Sequence, residues 1–141
     1  MIQSELYLGP KGQPGDYAKM TADAPDGVVF NGYYDQYKFA PIAVPLHSHI
    51  RIWVLNVGPS DISSFHIVGS IFTTVYKEGA YTLPAGSTGG SQALDLMPAQ
   101  GGFIETTLDE PGHYTIVTHR FVDVGKGAAG TIVVGSPTPG M

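Results

Sequence analysis

Pro111-Gly112-His113-Tyr114-Thr115-Ile116-Val117-Thr118-His119-Arg120-Phe121-Val122-Asp123 reads as a turn, a short strand and a histidine delivered at the strand's end. Gly125-Lys126-Gly127-Ala128-Ala129-Gly130 then bends the chain into a closing strand. Working outward, the same grammar recurs. Val28-Val29-Phe30 is closed by Asn31-Gly32, Ile42-Ala43-Val44 follows, and 50–57 is apolar on both faces apart from Arg51 and Asn56. That last run predicts a central strand covered on both sides. Gly58-Pro59-Ser60-Asp61 turns the chain into 62–68, and further strands are predicted at 71–76, 92–97, 102–108, 114–118 and 130–134. Residues 80–91 read as a long loop with Pro84 and Gly89-Gly90. About eight or nine short strands with no long helix define an all-β, Greek-key β-sandwich or barrel.

The domain organisation is simple. Residues 1–27 read as a connecting arm, with a possible short strand at 2–8 and one helical turn over 17–20 capped by Asp16. Residues 28–135 form the domain, and the Gly/Pro/Ser-rich 136–141 is a flexible tail. At 141 residues the chain can bury a real core without disulfides. Its 19 glycines and 11 prolines against 13% charged residues fit many turns between short strands.

A net charge of -5 with no basic run excludes nucleic acid as a partner. No stretch approaches the roughly 18 apolar residues of a membrane span. The start, Met1-Ile2-Gln3-Ser4-Glu5, has neither the basic nor the apolar part of a signal peptide. The protein is therefore expected to be cytoplasmic, or the chain begins downstream of its true start. Cysteine is absent, which removes zinc–thiolate sites and any self-contained blue-copper centre, since the latter needs a thiolate.

Chemistry rests on five histidines: His47, His49, His66, His113 and His119. Imidazole suits copper, zinc, iron and nickel. His119 leaves an apolar strand, and Asp123 lies four residues on. If the bend is one helical turn, the Asp123 carboxylate faces the ring and holds its second nitrogen; otherwise Asp123 caps or solvates the turn. His66 sits in an apolar strand, where a buried imidazole needs a partner: a metal, or a carbonyl. His47 and His49 alternate and could share a metal, but they follow Pro45 in what reads as a solvent-facing turn. His113 is expected to be exposed. No nucleophile elbow, phosphate-binding glycine loop or His-Glu-x-x-His helix is present, and Asp109-Glu110 beside Pro111-Gly112 reads as a solvated turn.

Several runs together resemble the second cupredoxin domain of multicopper oxidases, above all the copper-containing nitrite reductases and their oxidase relatives. They are Val29-Phe30-Asn31-Gly32-Tyr33, Asn56-Val57-Gly58-Pro59-Ser60, Ser64-Phe65-His66-Ile67-Val68-Gly69 and Thr74-Val75-Tyr76-Lys77-Glu78-Gly79. Pro111-Gly112-His113-Tyr114, Thr118-His119-Arg120-Phe121 and Gly127-Ala128-Ala129-Gly130 complete the set. The resemblance spans about residues 2–134, and Gln3-Ser4-Glu5-Leu6-Tyr7-Leu8-Gly9 is similar to the family's interdomain connector.

The resemblance implies a cupredoxin-type sandwich with copper as cofactor, in a periplasmic or secreted protein. It implies a partner, a type 1 copper-bearing cupredoxin domain of the same or a neighbouring chain, and a homotrimer. His119 matches the ligand that the second domain gives to an interdomain type 2 copper. His66 matches the histidine that hydrogen-bonds substrate or water and moves protons. In oxidases with a trinuclear centre, the equivalents of both could instead be ligands. Two departures stand out: there is no type 1 set, and Leu46-His47-Ser48-His49 replaces the family's usual Gly-Asp or Gly-Glu turn. One or two histidines cannot complete a catalytic copper site, so negligible turnover is expected of the chain alone. The alternative reading is a non-catalytic, stand-alone cupredoxin-like module for assembly or copper handover.

Overall fold

Apolar runs too short for a helix must bury their backbone groups by pairing with one another, and here they do so in two mixed sheets. The computed structural model describes residues 1–135; the tail expected at 136–141 lies outside them. One sheet runs β2 (Gly27–Phe30), β1 (Ile2–Leu6), β4 (His49–Gly58), β9 (Gly101–Thr107), β6 (Thr74–Lys77) and β7 (Ala80–Leu83). The other runs β3 (Ile42–Val44), β11 (Ala129–Val134), β10 (Gly112–Thr118), β5 (Ser63–Ile67) and β8 (Ala93–Leu96). Among the described residues, only β1 with β4 and β3 with β11 pair in parallel. Val28, Phe30, Val54 and Ile104 of the first sheet meet Phe65, Ile67, Leu94, Ile116 and Ile132 of the second in one core.

Strand β4 corrects the expectation of a strand covered on both faces. Ile50, Ile52, Val54 and Asn56 turn inward, whereas Arg51, Trp53, Leu55 and Val57 point out, with Trp53 57% exposed. The alternation is hidden in the sequence because the outer face is itself apolar. Trp53 packs on Phe103 with centroids 4.7 Å apart, Phe103 stacks on Tyr76 at 5.1 Å, and the Arg51 guanidinium lies 4.4 Å above the Phe103 ring. Aromatic neighbours in register on adjacent strands shelter one another from water.

The segment read as a connecting arm is partly built into the domain. β1 lies between β2 and β4, and Gln3 and Glu5 are buried. Asp16 caps helix α1 (Tyr17–Thr21), accepting from the Ala18 and Lys19 amides at 2.9 and 3.1 Å. Within the expected loop 80–91, β7 forms an exposed edge strand on β6. A short helix α2 (Gln36–Phe39) was not expected. Gly102 shows how closely the strands approach: a Cβ there would lie 2.1 Å from the Tyr76 carbonyl oxygen. Gly102→Ala is therefore expected to cost about 1–2 kcal/mol through strand displacement, measured as a fall in urea midpoint.

Candidate metal centre

Alternation along β5 sends Ser63, Phe65 and Ile67 into the core and leaves Ser64 and His66 on the outer side. β10 runs antiparallel beside it, with Phe65 opposite Thr118 and His66 opposite Val117. The pairing continues one residue past the strand, where the His119 amide donates to the Ser64 carbonyl at 2.8 Å. The Ser64 amide in turn donates to Thr118 Oγ1 at 3.0 Å. This register brings the two imidazoles together, with ring centroids 5.0 Å apart and planes inclined at 45°.

His66 Nδ1 is hydrogen-bonded to the Gln92 carbonyl. A carbonyl only accepts, so Nδ1 carries the proton, and it is Nε2 that would offer a lone pair to a metal. His119 is exposed, and Phe121 stacks along it with centroids 6.4 Å apart and planes at 23°. Phe121 and the following Val122 are both exposed, so His119 stands next to an apolar stretch of surface chain.

Asp123 is not part of this pair, which corrects the expected Asp123–His119 contact. Residues Phe121–Lys126 form a 3₁₀ turn, not an α-helical one. His119 lies before that turn and is still held in the β10–β5 register by its amide bond to Ser64, so it and Asp123 are not one helical turn apart. Asp123 instead points into the protein, fully buried, and its Oδ1 accepts from Arg120 Nη1 at 2.8 Å. The same Nη1 donates to Asp61 Oδ2 at 2.8 Å, and Nη2 lies 3.6 Å from Asp23 Oδ2. Burial, reinforced by the charge on Asp123, pushes the Asp61 carboxyl up to about 6 against the opposing pull of Arg120. Burial raises Asp123 likewise.

Ligand oxygens of Glu5, Asp23 and Asp61 lie within 4.8 Å of one another, a spacing a cation can use. Arg120 already supplies the positive charge, however. Glu5 is occupied by the Ser60 and Asp61 amides at 2.9 and 2.7 Å and by the Tyr7 hydroxyl. Sequence reasoning missed this cluster, because the Arg120–Asp61 pair joins residues 59 apart.

His47 and His49 do not share a site. His47 occupies the left-handed region at φ 60° and pairs with Asp109 at 3.1 Å on the surface. His49 Nε2 lies 3.7 Å from Glu105, whose carboxylate is engaged by Arg51. That Arg51 hydrogen bond holds the Glu105 carboxyl below the ordinary range. His113 is exposed near the start of β10.

No family model matches the chain. Among curated relatives, the copper-containing nitrite reductase of Neisseria gonorrhoeae is 34% identical over 95% of the chain and 35% of the relative. Among solved structures, the copper-containing nitrite reductase of Thermus scotoductus superposes with a TM-score of 0.82. It is 31% identical over 99% of this chain and 31% of that one. A multicopper oxidase superposes with a TM-score of 0.76 at 24% identity, over 96% of this chain and 42% of that one, a likeness of fold.

Two mixed sheets carrying a histidine at the end of β10 beside one on β5 make this chain a cupredoxin domain. Its sequence and structure are similar to those of a cupredoxin domain of copper-containing nitrite reductases, and it shares its fold with multicopper oxidases. It spans about a third of the length of the curated relatives it matches.

Proposed function

We propose that the chain is the copper-binding cupredoxin domain of a nitrite reductase-like or multicopper oxidase-like oxidoreductase, contributing His119 and His66 to a copper site completed elsewhere. The observation that carries this reading is the imidazole pair, 5.0 Å apart, with His66 anchored through Nδ1. Two neutral imidazoles from adjacent strands are a suitable donor set for copper but not a complete one. The absence of cysteine means that a type 1 centre must come from another domain, of the same or a neighbouring chain. A homotrimer placing that domain over the Phe121–Val122 stretch fits an exposed His119, in a periplasmic or secreted setting.

Copper held there would supply one-electron reduction of an oxygen-containing substrate, nitrite or oxygen. The chain's own residues do the rest. His119 offers an exposed ring steadied by Phe121. His66, anchored at Nδ1 by the Gln92 carbonyl, presents Nε2 either as a ligand or as the atom that holds and releases a proton for the substrate. Asp123, committed to Arg120, has no part in orienting His119.

The test is Cu(II) titration of the metal-free chain followed by EPR. Stoichiometric Cu(II) binding is expected to weaken at least tenfold in His119→Ala and less in His66→Ala, with His47→Ala unchanged. Loss only in His47→Ala would move the metal to the 46–49 turn and overturn the reading.

A further inference from the structure

His119 is fixed firmly on one side only. Upstream, its amide is bonded to Ser64 and that of Thr118 to the Ala128 carbonyl. Downstream the chain leaves the sheet, and the next side chain, Arg120, reaches back under the turn. Its guanidinium gathers carboxylates from three separate parts of the fold. Asp61 belongs to the β4–β5 connection, Asp123 to the 3₁₀ turn, and Asp23 to the segment after α1. Asp61 is 3% exposed and Asp123 not at all, and the second oxygen of Asp123 has no partner.

Removing one partner from a buried ion pair leaves an uncompensated charge and is strongly destabilising. Without the guanidinium, Asp61 and Asp123 would face each other unpaired. While the two carboxylates stay charged, an outward swing of the turn Phe121–Lys126 would hydrate them and relieve the repulsion. That turn carries Phe121, which stacks on His119, and its movement would release the ring.

We propose that Arg120 is a positioning residue that holds the His119 imidazole against His66 by tying the turn after β10 to the β4–β5 connection. The link to copper rests on the function proposed above, whereas the ring-to-ring contact stands without any metal. Neither the histidine pair nor the strand register requires an arginine here, so the device is specific to the Arg120–Asp61–Asp123 geometry.

The experiment compares the full chain with Arg120→Met and Arg120→Lys, all metal-free, by NMR of the histidine rings. The readouts are the NOE between the His66 and His119 ring protons and the His119 Cε1–Hε1 shift. Methionine retains much of the stem volume and removes the charge. Lysine keeps the charge as a compact point that cannot span the three carboxylates as a fork does. The NOE is expected to fall at least threefold in Arg120→Met and about twofold in Arg120→Lys. The Gln92-anchored His66 shift should stay in place in both. A Met variant that loses thermal stability yet keeps the NOE and the His119 shift would reduce Arg120 to a structural role and overturn the proposal. Where the Met chain does not fold, an unchanged Lys variant does the same. Cu(II) affinity, measured in parallel, should fall with the NOE. Failure of the native chain to bind copper would sink the proposed function but leave the ring contact to be judged on its own.

Discussion

Phe65→Ala is expected to lower the unfolding free energy by about 3–5 kcal/mol, a large share of the ~5–15 kcal/mol that holds a domain together. Phe65 is completely buried on β5. Its ring meets Phe30 of the opposite sheet edge-on at 6.4 Å and stacks with Phe72 at 6.4 Å. It therefore bridges the two layers where their contact cannot collapse without moving a strand. The surroundings relax only partly around such a cavity, so the loss exceeds the transfer free energy of the ring. Val68→Ala, just past the same strand at an exposed position, should cost less than about 0.5 kcal/mol. Urea unfolding followed by circular dichroism separates the two. A Phe65→Ala loss under about 1.5 kcal/mol would mean that the sheets close over the gap, contradicting the packing described. Because β5 sends Phe65 in and His66 out, the same variant should also disturb the imidazole pair.

Where sequence pattern and burial coincide, the strands were legible. β5, β9, β10 and β11 fall on apolar runs bounded by Gly, Pro or Asp: β5 and parts of β10 and β11 alternate with the pleat's period of two, whereas β9 is buried on both faces along 102–106. β4 misled on burial, though not on existence. Trp53, Leu55 and Val57 are as apolar as the residues facing the core, and only the cross-strand aromatic layer shows which side is solvent. β7 was invisible because Ala80, Tyr81 and Thr82 are all exposed on an edge, so no period marks them. β1 carried the opposite problem: Gln3 and Glu5 are buried polar residues in a stretch that reads as a linker. They are stabilised by hydrogen bonds to Ile62, Ser60 and Asp61 that no local pattern encodes.

The site divides along the same line. His119 at the end of an apolar strand and His66 inside another could be singled out, and the antiparallel register of β5 and β10 brings them within 5.0 Å. Asp123 could not be placed correctly, because the turn begins only after His119 and no local pattern marks Arg120 as the partner of its buried carboxylate. Arg120 figures in the sequence only within the Thr118-His119-Arg120-Phe121 run, with no role of its own. Its partners lie in other segments, and an arginine beside a ligand-like histidine reads as ordinary surface until Asp61 is seen beneath it.

That buried arrangement predicts an unusual dependence of stability on pH. The Asp61 carboxyl stands at about 6 in the folded chain against an ordinary 3.8, so the folded form binds more protons than the unfolded form between those values. A raised carboxyl stabilises fully below its unfolded pKa, and that contribution is lost as pH rises through the folded one. A shift of about two units corresponds to about 2–3 kcal/mol lost between pH ~4 and pH ~7. Asp123, also raised by burial, adds in the same direction. Asp26, Asp95 and Glu105 have the opposite sign, held low chiefly by hydrogen bonds from Lys19, Lys77 and Arg51. Their contribution is present above their unfolded values and lost only as pH falls below about 4. Stability should therefore peak near pH 4–5 and decline toward neutrality. Asp61→Asn tests the cause, since the amide oxygen can still accept from Arg120 Nη1 but carries no charge to desolvate. Urea unfolding at about pH 5 and 7.5 should show the decline cut to less than half in this variant, with a remnant from Asp123. Parallel declines in the two proteins would mean that Arg120 fully compensates the Asp61 charge and that the pH dependence arises elsewhere.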